Sequence, residues 1–78
     1  MATMTLTDLA PGERARVVKV EPAGDTGRRV AEMGVTVGVV VEVERIAPLG
    51  DPIEVKVKGY HLGLRREEAR RVVVERVQ

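Results

Sequence analysis

The stretch Ala47-Pro48-Leu49-Gly50-Asp51-Pro52 lies between two segments with strand periodicity and decides how the chain folds. Pro48 presets the backbone angle that the second position of a turn requires, and Gly50 suits the fourth position. Pro52 ends the loop, because proline cannot donate a ladder hydrogen bond where the next strand begins. We therefore predict the turn of a central β-hairpin, with the apolar side chain of Leu49 at its tip.

The segments on both sides of this loop have the pattern of half-buried strands. Residues 39–46 precede the loop and alternate over most of their length. Residues 53–58 follow it, and apolar and charged side chains alternate there without a fault. Two such strands joined by a short loop form a hairpin.

Charge favours one register for this hairpin. Pairing Val43 with Val57 places Glu44 opposite Lys56, and opposite charges on one sheet face attract each other. A shift by two residues would place Glu44 opposite Glu54 instead. The favoured register leaves the end of the first strand mispaired, and a β-bulge there would correct this.

Three further segments are predicted to be strands. They are residues 15–20, 59–64 and 72–77, and the last is expected to pair back to the first. The alternation breaks at Val17-Val18, which predicts cover on both faces. Five short strands, tight Gly/Pro connections and an aliphatic core with sixteen valines in the chain indicate a small barrel. Closure of that barrel would remove its sheet edges.

Helical structure is expected only in short segments. Asp25 or Thr26 can cap a helix of about two turns, and Gly34 can close it as a residue with positive φ. Val30 and Met33 share the face that docks on the sheet, because they lie three residues apart. A helix this short needs such docking to be stable in water.

Other parts of the chain carry smaller predictions. Val37 is expected to join the apolar face of the helix. Residues 5–9 are expected to form one helical turn or to cover an end of the barrel, and residues 65–71 are expected to form one turn of 3₁₀ or α helix with Ala69 inward. Residues 1–4 are expected to fray.

Three motifs follow one another along the chain. Arg28-Arg-Val-Ala-Glu-Met-Gly34 precedes the loop Ala47-Pro-Leu-Gly-Asp-Pro52, and Tyr60-His-Leu-Gly-Leu-Arg65 with Glu68-Ala69 follows it. In this order and spacing they resemble the FeoA family of small ferrous-iron transport accessory proteins, with Val30 where that family usually has Leu. The similarity extends from about Leu6 to Val77.

The resemblance implies a mainly β fold, a small SH3-like barrel of five or six short antiparallel strands with one short helix and one or two helical turns. It also implies a cytoplasmic regulatory protein that binds the cytoplasmic GTP-binding domain of a membrane ferrous-iron transporter. A homo-oligomer is a further option. The candidate partner-binding residues are Arg28, Arg29, Met33, Pro48, Leu49, Gly50, Asp51, Tyr60 and Arg65.

Size and composition fit a single domain over residues 1–78 and argue against several function classes. Without cysteine there is no disulfide framework or thiolate metal site, and with neither cysteine nor serine the common nucleophiles are absent, so no enzyme is expected. A net charge of +1 argues against a nucleic-acid partner. No apolar run approaches a membrane span or a signal-peptide core, which predicts a cytoplasmic chain without direct membrane insertion.

The single histidine, His61, carries the alternative function. A metal site would combine it with Glu54, Glu67 or Glu68, but no pair has the spacing of a known site. The FeoA fold resembles the C-terminal domain of iron-dependent repressors, which implies a transition-metal-ion-binding or metal-sensing domain as the alternative. We predict no metal site and no cofactor, and a domain that folds without iron.

Two surface features have competing interpretations. Leu49 packs inward, on a neighbouring loop or on the Leu6 and Leu9 segment, or it points outward as a preorganised contact for a partner. The charges of residues 65–71 form a salt-bridged surface or a basic patch. The first interpretation is favoured for both.

Overall fold

The computed structural model describes residues 4–21 and 25–77 of the 78-residue chain. Neither helix in these ranges has the length and apolarity that a membrane crossing needs. The caps predicted at Asp25 or Thr26 fall on side chains outside the described part. The elements are a 3₁₀ turn (Leu6–Asp8), β1 (Arg14–Val20), α1 (Asp25–Glu32), β2 (Val40–Ile46), β3 (Ile53–Val57), β4 (Tyr60–Leu64), α2 (Arg66–Ala69) and β5 (Val72–Arg76).

The five strands form one antiparallel sheet in the order β4-β3-β2-β1-β5. β5 pairs back to β1 as predicted, and the strand count and short helices agree with the expected fold class. The closure expected for the barrel is incomplete, because β4 and β5 stand at opposite ends of the strand order. The sheet therefore keeps two edge strands.

The predicted register of the central hairpin is wrong by two residues. Val43 pairs with Val55 and not with Val57. The argument against this arrangement was that it would bring Glu44 opposite Glu54. Glu44 and Glu54 do not face each other in the structure, because the backbone of β2 is irregular at this point.

A β-bulge between Val43 and Arg45 changes which charges face each other. Arg45 becomes the partner of Glu54, with Nε and Oε2 3.9 Å apart. Glu44 lies in the bulge, and its Oε1 is 2.8 Å from Nδ1 of His61. The sequence predicts a bulge at this end of β2. It does not predict that the bulge replaces Glu44 by Arg45 as the partner of Glu54.

A single aliphatic core lies inside the sheet and receives the 3₁₀ turn and both helices. The inward positions predicted for β2 and β3 are all buried, as is the inward side chain predicted in α2. The buried apolar residues are Leu6, Leu9, Ala15, Val17, Val30, Val35, Val41, Val43, Ile53, Val55, Val57, Leu64, Ala69, Val72 and Val74.

Three local predictions need correction. Val18 is exposed and not covered, because a bulge in the β1–β5 pairing interrupts the alternation beside it. Val37 is 66% exposed and does not join the apolar face of α1. Met4 is half-buried, and its carbonyl accepts a hydrogen bond of 2.9 Å from the Val74 N–H, so the expected fraying does not include it. Residues 1–3 lie outside the described ranges.

Gly34 ends α1 as predicted. Its φ is +95°, and its N–H donates to the carbonyl of Ala31. The Val35 N–H donates to the carbonyl of Val30, which completes a Schellman motif. Val30 and Val35 are both fully buried, as the hydrophobic contact of this motif requires. The cap thus fixes α1 on the core.

Candidate functional site

The loop between β2 and β3 is a tight turn with an exposed apolar tip. The Gly50 N–H donates to the carbonyl of Ala47 at 2.7 Å, which places Pro48 and Leu49 at the two central positions. The Ala47 N–H donates to the carbonyl of Pro52 at the base of the loop. Leu49 is 95% exposed, so the favoured interpretation, inward packing, is wrong.

Asp51 fastens this loop to α2. Its Oδ1 accepts a hydrogen bond of 3.1 Å from the backbone N–H of Arg66, the first residue of the helix. First-turn N–H groups lack partners within a helix, and carboxylates are favoured there. A Cβ atom placed on Gly50 would lie 3.2 Å from Nη1 of Arg66, so the guanidinium group lies against the loop. The loop and the start of α2 form one surface.

A buried carboxylate joins α2 to α1. Oε1 of Glu68 accepts a hydrogen bond of 2.8 Å from the Arg65 N–H, and Oε2 lies 3.2 Å from Nε of Arg29. The Glu68 side chain is only 5% exposed. Because both oxygens face donors, the charge is compensated inside the protein. Sequence reasoning missed this role, although a glutamate three residues after the residue that precedes a helix, here Arg65, is part of a capping signal.

These contacts bring the four candidate residues of the loop next to the start of α2, which the candidate Arg65 immediately precedes. We call Pro48, Leu49, Gly50 and Asp51 with Arg65 and Arg66 the tip surface. Arg29 on α1 is linked to it through Glu68. Arg28 is exposed on the same helix, and Met33 is half-buried against the core. Tyr60 is separate, because it begins β4, whereas the tip surface adjoins the end of β4.

The charges of residues 65–71 divide into two groups. Arg70 and Arg71 lie 3.4 and 2.8 Å from carboxylate oxygens of Glu67, which confirms a salt-bridged surface for this part. Arg65 and Arg66 differ, since among the described residues no carboxylate lies within ion-pair distance of either guanidinium group. The tip surface therefore presents an apolar residue beside the Asp51 carboxylate and beside two arginines that form no ion pair within the described residues.

The carboxylates considered for a metal site lie near arginine. Glu54 lies near Arg45, and Glu67 and Glu68 make the contacts given above. The partner of His61 is Glu44. Glu44 lies in the bulge of β2, and the sequence alone could not predict that position. Within residues 4–21 and 25–77, no three His, Cys, Asp or Glu side chains come together as a metal-binding group would require.

Comparison with known proteins supplies the family context. The model of the FeoA domain family matches residues 4–76. A Porphyromonas gingivalis (strain ATCC BAA-308 / W83) protein is 39% identical over 72 residues, and it is described as an Fe(2+) transport protein A/Fe(2+) transporter FeoB fusion protein. The alignment covers 92% of this chain and 8% of that protein, so the chain spans less than a tenth of this relative.

Solved structures show the same fold. The FeoA-like protein from Clostridium acetobutylicum superimposes with a TM-score of 0.91 at 29% identity, covering 100% of this chain and 91% of that one. The zinc complex of Stenotrophomonas maltophilia FeoA, described as an SH3-domain protein, gives 0.81 at 34% identity with 92% and 89% coverage. A manganese-dependent transcriptional repressor gives 0.88 at 18% identity over 99% of this chain and 38% of that one, a likeness in fold alone.

Proposed function

Because the chain belongs to the FeoA domain family, we propose that it is an accessory protein of ferrous iron transport that binds the cytoplasmic GTP-binding part of a membrane iron transporter. One observation carries the proposal. In the Porphyromonas gingivalis relative, a similar domain and an Fe(2+) transporter share one polypeptide. Covalent linkage keeps two modules at high effective concentration, and a separate chain must replace that linkage with an interface.

In this proposal the chain acts by binding on the cytoplasmic side of the membrane and not by catalysis. Its effect on transport would come from contacts that differ between states of the transporter, because a ligand shifts an equilibrium only through differential affinity. The side chains for such contacts must be exposed and held in place before binding. The tip surface has both properties.

Leu49 is the centre of the proposed docking surface. Its loop is held by the internal turn and by the Asp51 hydrogen bond to α2, so little conformational entropy remains to be lost on binding. A buried apolar anchor with polar groups around it is the usual anatomy of an interface. Arg65 and Arg66 would lie at its rim, and they favour a partner pocket that is apolar inside and acidic outside.

The remaining candidates have different places in this proposal. Arg28 and Arg29 extend the docking surface along α1, and Met33 supports that helix from below. Tyr60 lies away from the tip surface and would need a second contact with the partner. All of these assignments belong to the proposal.

The proposal is tested by titrating the isotope-labelled chain with the isolated cytoplasmic domain of the transporter. We expect amide shifts at residues 47–52 and 65–68, and a loss of affinity of about tenfold or more for Leu49→Asp, because a carboxylate cannot be desolvated in an apolar pocket. Val37→Asp is the matched control, since Val37 is 66% exposed and precedes the opposite end of β2. Absence of binding by the unmodified chain, or equal losses in both variants, would contradict the proposal.

The alternative, a metal-binding or metal-sensing domain, has weaker support. The likeness to the manganese-dependent repressor concerns the fold, at 18% identity. We therefore favour the docking function and test the dependence on metal separately, at the scale of the whole molecule.

A further inference from the structure

The two edges of the sheet are not equivalent. The outer edge of β5 is covered by the start of the chain, since Thr5 forms a β-bridge with Val73 and the Val74 N–H donates to the carbonyl of Met4. The outer edge of β4 has no such cover in the described ranges, where the backbone of residues 60–64 pairs only with β3. An uncovered edge is a template for another strand.

The geometry of the β3–β4 hairpin identifies the free groups. The two-residue turn Lys58-Gly59 has positive φ at both positions, as in a type I′ hairpin, so Val57 and Tyr60 form the closing hydrogen-bonded pair. Hydrogen-bonded and non-hydrogen-bonded pairs alternate along an antiparallel ladder. The N–H and C=O groups of His61 and Gly63 therefore point away from β3.

Nothing in β4 protects these groups. Natural edge strands are commonly blocked by lysine, proline or a bulge, and β4 has none of the three: its sequence is Tyr-His-Leu-Gly-Leu and its pairing with β3 is regular. His61 and Gly63 are both exposed, and no atom lies within 4 Å of the position that a Cβ atom on Gly63 would take. Within residues 4–21 and 25–77, no other backbone segment pairs with this edge.

We propose that the outer edge of β4 pairs with the same edge of a second copy of this chain, antiparallel and with Leu62 opposite Leu62. This register places His61 of each copy opposite Gly63 of the other. Both residues direct their backbone groups outward, so each pair is of the hydrogen-bonded kind and the two pairs form about four hydrogen bonds. The contact is self-complementary, as a two-fold interface must be.

The side chains favour this register over its neighbours. His61 meets a glycine, so no charge or bulk opposes it. The half-buried Leu62 meets its own copy, and Tyr60, which is 72% exposed, comes to lie beside the apolar end of the other β4 at Leu64. Centring the contact on Gly63 would place His61 opposite Arg65, and centring it on His61 would oppose two histidines.

The first test is the oligomeric state of the chain alone, so its result does not depend on the proposed transporter. The paired segment is shorter than a standard interface, and we expect weak association that needs concentrations from about 10 µM to about 1 mM to observe. Sedimentation should show the mean mass rising from 8.5 kDa toward twice that value. Hydrogen exchange at the amides of His61 and Gly63 should slow severalfold over the same range.

Gly63→Pro tests the edge directly, with Gly63→Ala as the control. Proline removes an N–H that points outward and that the β3 ladder does not use, whereas alanine keeps it. No atom lies within 4 Å of the Cβ position at Gly63, so the methyl group of alanine and the Cβ of proline meet no neighbour there. We expect the alanine variant to associate within about twofold of the unmodified chain and the proline variant to remain at 8.5 kDa, with both folded by circular dichroism.

Leu62→Lys and Leu62→Glu provide a second test if the proline variant does not fold. Each variant alone places like charges opposite each other at the two-fold axis and should be monomeric, and mixing the two should restore association. A chain that stays monomeric at about 1 mM overturns the proposal, as does undiminished association of Gly63→Pro. If the amides of His61 and Gly63 gain protection only with the transporter domain, the edge takes a strand of that partner and not a second copy.

Discussion

Leu49 is the residue whose contribution to binding can be separated from its contribution to stability. Because it is 95% exposed, Leu49→Asp should change the free energy of unfolding by no more than about 0.5 kcal/mol. Binding to the transporter domain and iron uptake should nevertheless collapse in the proposed function. Urea denaturation measures the first quantity. A variant that is stable and that also binds and supports uptake normally would remove Leu49 from the docking surface.

Glu68 should behave in the opposite way, because it is buried. Glu68→Gln keeps the shape of the side chain but removes the charge that faces Arg29 and the Arg65 N–H. We expect a loss of about 1–3 kcal/mol in the free energy of unfolding. Glu67→Gln is the control, since that side chain is 52% exposed and should change stability by less than about 1 kcal/mol. Equal effects of the two substitutions would show that the buried contact is not special.

The structure around a single residue could be predicted where it depends on neighbours in the sequence. The turn around Leu49 follows from Pro48 and Gly50, which lie next to it in the sequence. The role of Glu68 needed Arg29, which lies far away in the sequence, and periodicity carries no information about such a pair. The exposure of Leu49 could not be predicted for a similar reason. It depends on whether a segment distant in the sequence covers the loop.

At the scale of the element, the cap of α1 is the most direct test. Gly34→Val should destabilise the domain by about 1–3 kcal/mol, because a β-branched residue resists a φ of +95°. No atom lies within 4 Å of the new Cβ position, so the cost arises in the backbone and not from a clash. Gly34→Asn should cost less, since asparagine tolerates this conformation. Similar losses for valine and asparagine would contradict the conformational explanation.

The register of the central hairpin shows why charge was a poor guide at this scale. Each exposed charge pair contributes less than about 1 kcal/mol, whereas burial of an isoleucine side chain contributes about 1.5–3 kcal/mol. The bulge in β2 lets Ile46 pair with Ile53, which is buried, and also separates Glu44 from Glu54. The apolar pairing therefore decides the register. Sequence alternation predicted the two strands but could not place the bulge exactly.

At the scale of the whole molecule, the domain should fold without metal. Its core is aliphatic, and the carboxylates near α2 face arginine or backbone donors. We expect the melting temperature to stay unchanged after chelation, and to stay unchanged on addition of ferrous iron under anaerobic conditions. A binding metal would raise it, since a ligand that binds only the folded state stabilises that state. A shift of many degrees in either experiment would restore the metal-binding alternative.

The fold class was predictable because alternation, turn residues and family motifs all indicated the same small β domain. Two features of the whole molecule could not be predicted: the incomplete closure of the barrel and the separation of Tyr60 from the tip surface. Closure of the barrel depends on whether β4 and β5 pair, and alternation within a strand does not reveal its neighbours. The distance between Tyr60 and the tip surface depends on the direction of β4, which runs from one to the other.

The short bridge that Thr5 makes with β5 sets a limit on growth. A sheet with one open edge can add a single neighbour, so its assembly is finite. A sheet with two open edges can add neighbours without end, and open-ended addition produces fibres. In the proposed assembly, Met4 and Thr5 would therefore limit each sheet to one added neighbour, and a domain without this segment would have two open edges.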